Sequence, residues 1–293
     1  MNEQREFFAG SRPEIPKEFM QDPSFKGELL GGLKNPEKLS DIRRVYEEKY
    51  PDQLEGISAL FDLASFLDLD KRLDAHEEKG KERSALIDEV TRYQYLLTHL
   101  IARTSDKEFL GSFWQIAEDV ARKKENIRSL NMMRKGILSQ VAVLKIMEKI
   151  GASPTLSHPR DDARHAIDLW IDAKKAVQVK GIREDRQQLP EIMETDTLSF
   201  PGVEIESDEG VQHLNTEMFA KFQHFQARLD RYQELAGKHI KGYMMVIPYS
   251  KFDPVTGEPS EDIVAFAREK IHLSAKHAKK KKGWLPTEQK RGG

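Results

Sequence analysis

The chain has no cysteine among its 293 residues. Disulfide staples and thiolate-bound zinc are therefore excluded. It also lacks any apolar run near the roughly 20 residues needed to span a bilayer. The opening stretch MNEQREFFAGSRPEIP contains acids and no apolar segment of signal-peptide length, so a cytoplasmic location is expected, with no membrane partner. No Gly-rich nucleotide loop, serine elbow or HExxH helix is found. There is no internal repeat, and no helix-turn-helix signature specific enough to use. The chain also lacks a strong net charge, at −2 overall. That balance is uneven. Residues 276–293 hold seven Lys and Arg against Glu288, a net +6, which leaves −8 for the rest. A nucleic-acid-binding protein needs a basic surface somewhere, and Lys279, Lys280, Lys281 and Lys282 are candidate phosphate contacts.

What is present is a polar, helix-rich composition, 33% charged and 38% hydrophobic. Residues 1–37 read as an irregular arm. Pro13, Pro16, Pro23 and Pro36, with Gly27, Gly31 and Gly32, interrupt every helical window, while Phe7, Phe8, Phe19 and Phe25 suit docking on the body. Residues 38–129 read as a helical domain. Ser40 is the expected N-cap of its first helix and Pro51 its end. Leu54, Ile57, Leu60, Phe61, Ala64 and Leu67 recur at helical spacing. Residues 71–83, interrupted by Gly80, read as a charged connector. Leu86, Val90, Tyr93, Leu97, Leu100 and Ile101 form the next apolar stripe, and Phe109, Phe113, Ile116 and Val120 another. Such stripes are packed cores far more often than cofactor sites.

The informative stretch is residues 165–181, HAIDLWIDAKKAVQVKG. It reads as two strands joined by a tight polar turn. Ala166, Asp168 and Trp170 share one face of the first; Ala176, Gln178 and Lys180 share one face of the second. A hairpin would bring Asp168, Gln178 and Lys180 together. Carboxylate and carbonyl oxygens hold Mg²⁺ or Mn²⁺, the metal acidifies a bound water, and an ammonium stabilises charge developing on phosphate. The bland alternative is a surface hairpin with one polar face.

Asp168, nine intervening residues and Gln178-Val179-Lys180 resemble the PD-(D/E)xK nuclease superfamily in its Asp…(Glu/Gln)-x-Lys form. The segment 136–151, GILSQVAVLKIMEKIG, resembles that superfamily's first core helix, with Gly136, Gln140 and Gly151 at its spacing. A strand within 152–164, the hairpin, a helix from Asn215 to 236 and an apolar strand over 240–248 complete the likeness, which covers roughly residues 130–250. It implies an α/β restriction-endonuclease-like core (helix, three strands, helix, strand) over 130–275, following the helical domain and followed by a flexible basic tail. It implies a Mg²⁺-dependent endonuclease acting on DNA, with Asp168 and Gln178 on the metal and Lys180 as electrostatic catalyst. Gln140 would orient water or metal, and Lys221 would contribute from the second helix. The chain departs from the superfamily at Gln140 and Gln178, where Glu is usual. Asp161, Asp162, Glu148 and Glu184 are the nearby carboxylates from which a further ligand could come. His158 and His165 flank the motif and read as structural groups. The acidic, irregular residues 182–214 would lie at the rim of the site as a lid or nucleic-acid mimic. Helix 261–273 closes the domain. The alternative is a catalytically silent protein that keeps the fold for nucleic-acid binding or assembly. Homodimerisation stays open.

Overall fold

The computed structural model describes residues 22–49, 63–74, 80–104, 106–182, 191–194 and 209–271. Six helices come first: α1 Pro23–Lys34, α2 Pro36–Lys49, α3 Leu63–Asp74, α4 Gly80–Arg103, α5 Lys107–Lys123 and α6 Ile127–Lys149. Then follow β1 Pro154–Leu156, α7 Pro159–His165, β2 Leu169–Ile171, β3 Lys175–Ile182, β4 Glu191–Glu194, α8 Glu209–Ala236, β5 Lys241–Pro248 and α9 Glu261–Lys270. The class is α/β, with a mixed five-stranded sheet in the order β1-β2-β3-β5-β4. β1, β2 and β3 form an antiparallel meander, β5 lies parallel to β3, and β4 pairs antiparallel with β5. No helix among the described residues is long and apolar enough to cross a membrane.

Both faces of the sheet are covered. Leu169, Ile171, Val177, Val179, Tyr243, Met245 and Ile247 join one core with the N-terminal helices, continuous as far as Phe25 on α1. On the other face Trp170, Ala176, Met244 and Val246 pack against Met218, Phe222, Phe225, Leu229 and Tyr232 of α8. β5 thus alternates between two apolar partners, which is why its sequence reads as a near-continuous apolar run. β3 does not. Its α8-facing row runs Ala176, Gln178, Lys180, and apolar packing gives way there to polar groups.

The structure corrects several expectations. The stretch around Pro23 and Pro36 is helical, not an irregular arm. Both prolines stand at the first position of a helix, where the missing N–H would have had no partner and the fixed φ is already helical. Asp22 caps α1, accepting 2.8 Å from the Ser24 N–H. Ser40 lies inside α2 and is not its N-cap. Phe25 docks, fully buried; Phe7, Phe8 and Phe19 lie outside the described residues, as do Leu54, Ile57, Leu60, Phe61 and Pro51. The 71–83 connector shrinks, because α3 runs to Asp74 and α4 opens at Gly80. The 182–214 segment is not wholly irregular: it holds β4, and α8 begins at Glu209 rather than Asn215. The closing helix ends at Lys270. The basic tail and Glu184 lie outside the described residues.

The first strand of the hairpin starts later than the alternation suggests. Ala166 has φ 55°, so regular pairing begins only at Leu169. The turn that follows places both Asp172 (φ 52°) and Ala173 (φ 54°) in the left-handed region, with the Lys174 N–H donating to the Ile171 carbonyl at 3.0 Å. Asp tolerates that region, but an alanine there is strained by roughly 1–2 kcal/mol. Ala173→Gly is expected to stabilise the fold by about 1 kcal/mol, read as a rise in thermal midpoint. An unchanged or lowered midpoint would mean the turn is not built this way.

Candidate functional site

The site forms where β2 and β3 separate. Just before β2, the Asp168 backbone is still held. Its N–H donates to the Val177 carbonyl at 2.9 Å, and its carbonyl accepts from the Ser157 N–H at 2.9 Å. This fixes the side chain between the strands. Asp168 Oδ2 accepts from the Val179 N–H at 2.6 Å. Its Oδ1 accepts from Gln140 Nε2 at 2.8 Å. Gln140 arrives from α6, and its Oε1 lies 3.2 Å from the Thr98 hydroxyl of α4. That hydroxyl also points at the Gln94 carbonyl, 2.8 Å away. The single hydroxyl proton favours the nearer Gln94 carbonyl, so the Gln140 amide is held chiefly by its Nε2 bond to Asp168, with Thr98 a longer contact at its other end.

Gln178 differs. It is buried, and its Oε1 has no hydrogen-bond partner among the described residues. A buried carbonyl left this way costs about 1–3 kcal/mol and needs a reason. Lys180, two residues on and half-buried, acts through its charge on Asp168. The structure thus brings together the four sequence-predicted residues Asp168, Gln178, Lys180 and Gln140 around one corner of the sheet.

A fifth group was not picked out from the other nearby acids. Asp162 lies on α7, and its carboxyl hydrogen-bonds that of Asp168. Both residues keep some surface exposed, yet their carboxyls are deeply embedded. Burial, then the charge of Asp168, pushes the Asp162 carboxyl well above the ordinary value of 3.8. Burial also raises Asp168, but Lys180, the Val179 N–H and Gln140 pull it back. Both carboxyls thus stay above the ordinary value, Asp162 the further of the two, which favours a proton held in the hydrogen bond between them. Arg228 of α8 also acts on Asp162. Lys221 stands exposed about two turns earlier on the same helix.

The remaining candidates lie elsewhere. Glu148 lines a separate cleft with Arg103, Lys145 and Glu258. His165 packs edge-on against Tyr232, with ring centroids 4.9 Å apart, and burial lowers its pKa. Among the described residues no group of three or more His, Asp and Glu could hold a metal. The oxygen donors that could suit a divalent cation are the hydrogen-bonded carboxyls of Asp162 and Asp168 and, on the adjoining strand, the unpartnered Gln178 carbonyl. Gly181, directly after Lys180, fixes the approach of α6: a Cβ there would collide with Ser139 Oγ and Tyr249 Cε1.

No protein-family model, curated protein or solved structure matches the chain.

The raised carboxyl pair makes a signed prediction. A raised folded-state pKa means the fold binds that proton more tightly than the unfolded chain does. The associated stability is complete below the ordinary value of 3.8, and drains away as pH rises through the raised value. Asp162→Asn keeps a hydrogen-bond donor facing Asp168 and removes this titration. Its thermal midpoint should match the parent's in acid and exceed it at neutral and alkaline pH when no divalent cation is added. Parallel midpoint-versus-pH curves would refute the shared proton.

Proposed function

We propose that the chain is a divalent-cation-dependent nuclease with a PD-(D/E)xK-like core, hydrolysing phosphodiester bonds in DNA. The observation that carries this reading is the convergence of Asp168, Gln178, Lys180 and Gln140 at one corner of the sheet, with Gln140 bonded to Asp168 at 2.8 Å. The chain order also supports it. A helix is followed by an antiparallel meander, a second helix and a strand parallel to the meander's last member. β4 is an additional strand on the far edge.

Asp168, Asp162 and the Gln178 carbonyl would hold Mg²⁺ or Mn²⁺. When bound, such an ion neutralises phosphate charge and acidifies a water. Hard oxygen donors of this kind suit Mg²⁺, which keeps several of its own waters. With the ion bound, Asp162 would act in its ionised form as an oxygen donor beside Asp168. Gln140 keeps Asp168 oriented, with Thr98 at the far end of its amide. Lys180 places an ammonium against the negative charge that develops on the phosphate oxygens. Arg228 adds a second positive charge on the α8 side.

Supercoiled plasmid incubated with Mg²⁺ or Mn²⁺ tests the reading, with EDTA as control; nicking that needs the cation is expected. Lys180→Ala should reduce the cleavage rate about 10²–10³-fold, the usual loss of one preorganised donor, and lower the thermal midpoint, because the Asp168 charge loses its counter-charge, while leaving most DNA affinity in place. Near-normal cleavage by this variant would remove Lys180 from the mechanism. Gln178→Glu supplies the orphaned position with a charge, so the cation concentration for half-maximal activity should fall severalfold. No change would mean that Gln178 does not touch the ion.

A second reading rests on the low acid count. With Asp162 and Asp168 as the carboxyls of the corner among the described residues, a catalytically silent protein that keeps the fold for nucleic-acid binding or assembly is the alternative. DNA binding without cation-dependent nicking in any variant would establish it.

A further inference from the structure

α6 contains a glycine that the chain itself does not require. Gly136 lies inside the helix, exposed, and its φ is not positive. A Cβ built on it meets nothing within 4 Å. Alanine would fit and would favour the helix, because glycine carries the larger unfolded-state freedom. Packing, turn geometry and close approach of another part of the described chain are thus all removed as reasons for it. Gly181 and Gly257, by contrast, have protein atoms where their Cβ would be.

Gly136 forms part of the wall of a cleft of about 230 Å³ between α4 and α6. Gln94, Ser129, Met132, Met133, Ile137 and Gln140 line it further. Gln140 is the residue whose amide bonds Asp168. The cleft and the candidate site therefore share that residue. No acidic side chain lines it among the described residues. Arg128 is exposed one turn before Met132. Lys135 adjoins Gly136, with its ammonium over the Tyr249 ring at 5.1 Å from the centroid. Met132 is 61% exposed, a large apolar side chain facing solvent. Polar amide and hydroxyl groups and two polarisable thioethers, with no acid in the lining and the exposed Arg128 one turn from Met132 on the same helix, match one nucleotide of a single strand: a base against the methionines and a backbone along α6.

We propose that this cleft seats a nucleotide adjoining the phosphate presented to Asp168 and Lys180, and that position 136 is glycine so that the strand can lie directly against the α6 backbone. The inference rests on the nuclease reading for the meaning of the adjoining site, but it makes its own binding claim. The occupant is nucleic acid, and Gln140, which bonds the candidate catalytic carboxylate, is part of the cleft wall.

The test uses the full chain with Gly136→Ala and Gly136→Leu. Thermal midpoints come first: both variants should match or exceed the parent, since the space is open and both residues favour helix. A fluorescein-labelled single-stranded DNA of about twelve nucleotides, within the range such grooves track, is then titrated by anisotropy in EDTA. Gly136→Leu should weaken binding about tenfold or more, and Gly136→Ala by less. On a cleavable substrate the loss should appear in KM more than in kcat. If the wild type binds the oligonucleotide and Gly136→Leu binds equally well with an intact midpoint, the cleft is not a nucleotide seat, whatever the plasmid assay shows. Absence of oligonucleotide binding by the wild type overturns the inference as well. If the wild type binds but does not nick, and Gly136→Leu loses affinity, the seat stands and the hydrolytic reading alone fails.

Discussion

The corner of the sheet is held together by one buried carboxylate. Asp168 accepts from the Val179 N–H of the neighbouring strand and from Gln140 of α6, and bonds the carboxyl of Asp162 on α7. Three elements, α6, α7 and β3, meet on its two oxygens. A buried charge is tolerated only when its lone pairs are filled and an opposite charge is near, and Lys180 supplies that charge. The dependence is mutual. Without Asp168, the Val179 N–H, the Gln140 amide and the Asp162 carboxyl all lose their partner, and Lys180 faces an apolar sheet without compensation. The groups that could perform chemistry are thus the same groups that fix where α6, α7 and the strand fork sit.

The rest of the sheet shows why this corner stays polar. Along β3 the row facing the N-terminal helices is Val177 and Val179, and it joins the large core. The row facing α8 starts with Ala176 in the smaller core and continues with Gln178 and Lys180. Apolar side chains at these two positions would have extended the α8 core by two residues, at roughly 1.5–3 kcal/mol each. The fold forgoes that gain. Gly181 adds a second concession, leaving room for Ser139 and Tyr249 beside the strand. Ser139 immediately precedes Gln140, so the closeness that Gly181 permits is what lets the amide reach across the sheet edge to Asp168.

The legible part of the site was the part written in period two. Asp168, Gln178 and Lys180 alternate with buried apolar residues, and a strand's geometry converts that alternation directly into a shared face. Gln140 was named only because residues 136–151 resemble the superfamily's first core helix. Asp162 could only be named among several nearby acids. It lies on a seven-residue helix that reads as a polar connection, and its contact with Asp168 depends on how α7 is turned, not on any periodicity. The prolines of α1 and α2 were misread for a related reason. Proline breaks a helix interior but suits a first turn, and a window centred on the residue does not distinguish the two. β4 has four residues, and strands this short take their identity from the neighbour they pair with, here β5.

The amide at position 140 makes physical sense once its surroundings are known. A glutamate there would bring a third carboxyl to Asp162 and Asp168, in a corner already too buried to ionise both. It would also have to be protonated, or matched by a cation, to face Asp168 at hydrogen-bond distance. Glutamine supplies a neutral donor toward Asp168 and an acceptor toward Thr98, itself fully buried on α4. The helical body is therefore joined to the corner not only by the core that runs through α6. It also sends in the Thr98 hydroxyl, 3.2 Å from the amide oxygen. With a neutral amide toward Asp168 the corner satisfies this hydrogen bond without a cation, whereas a third carboxyl there would need a proton or a cation beside it.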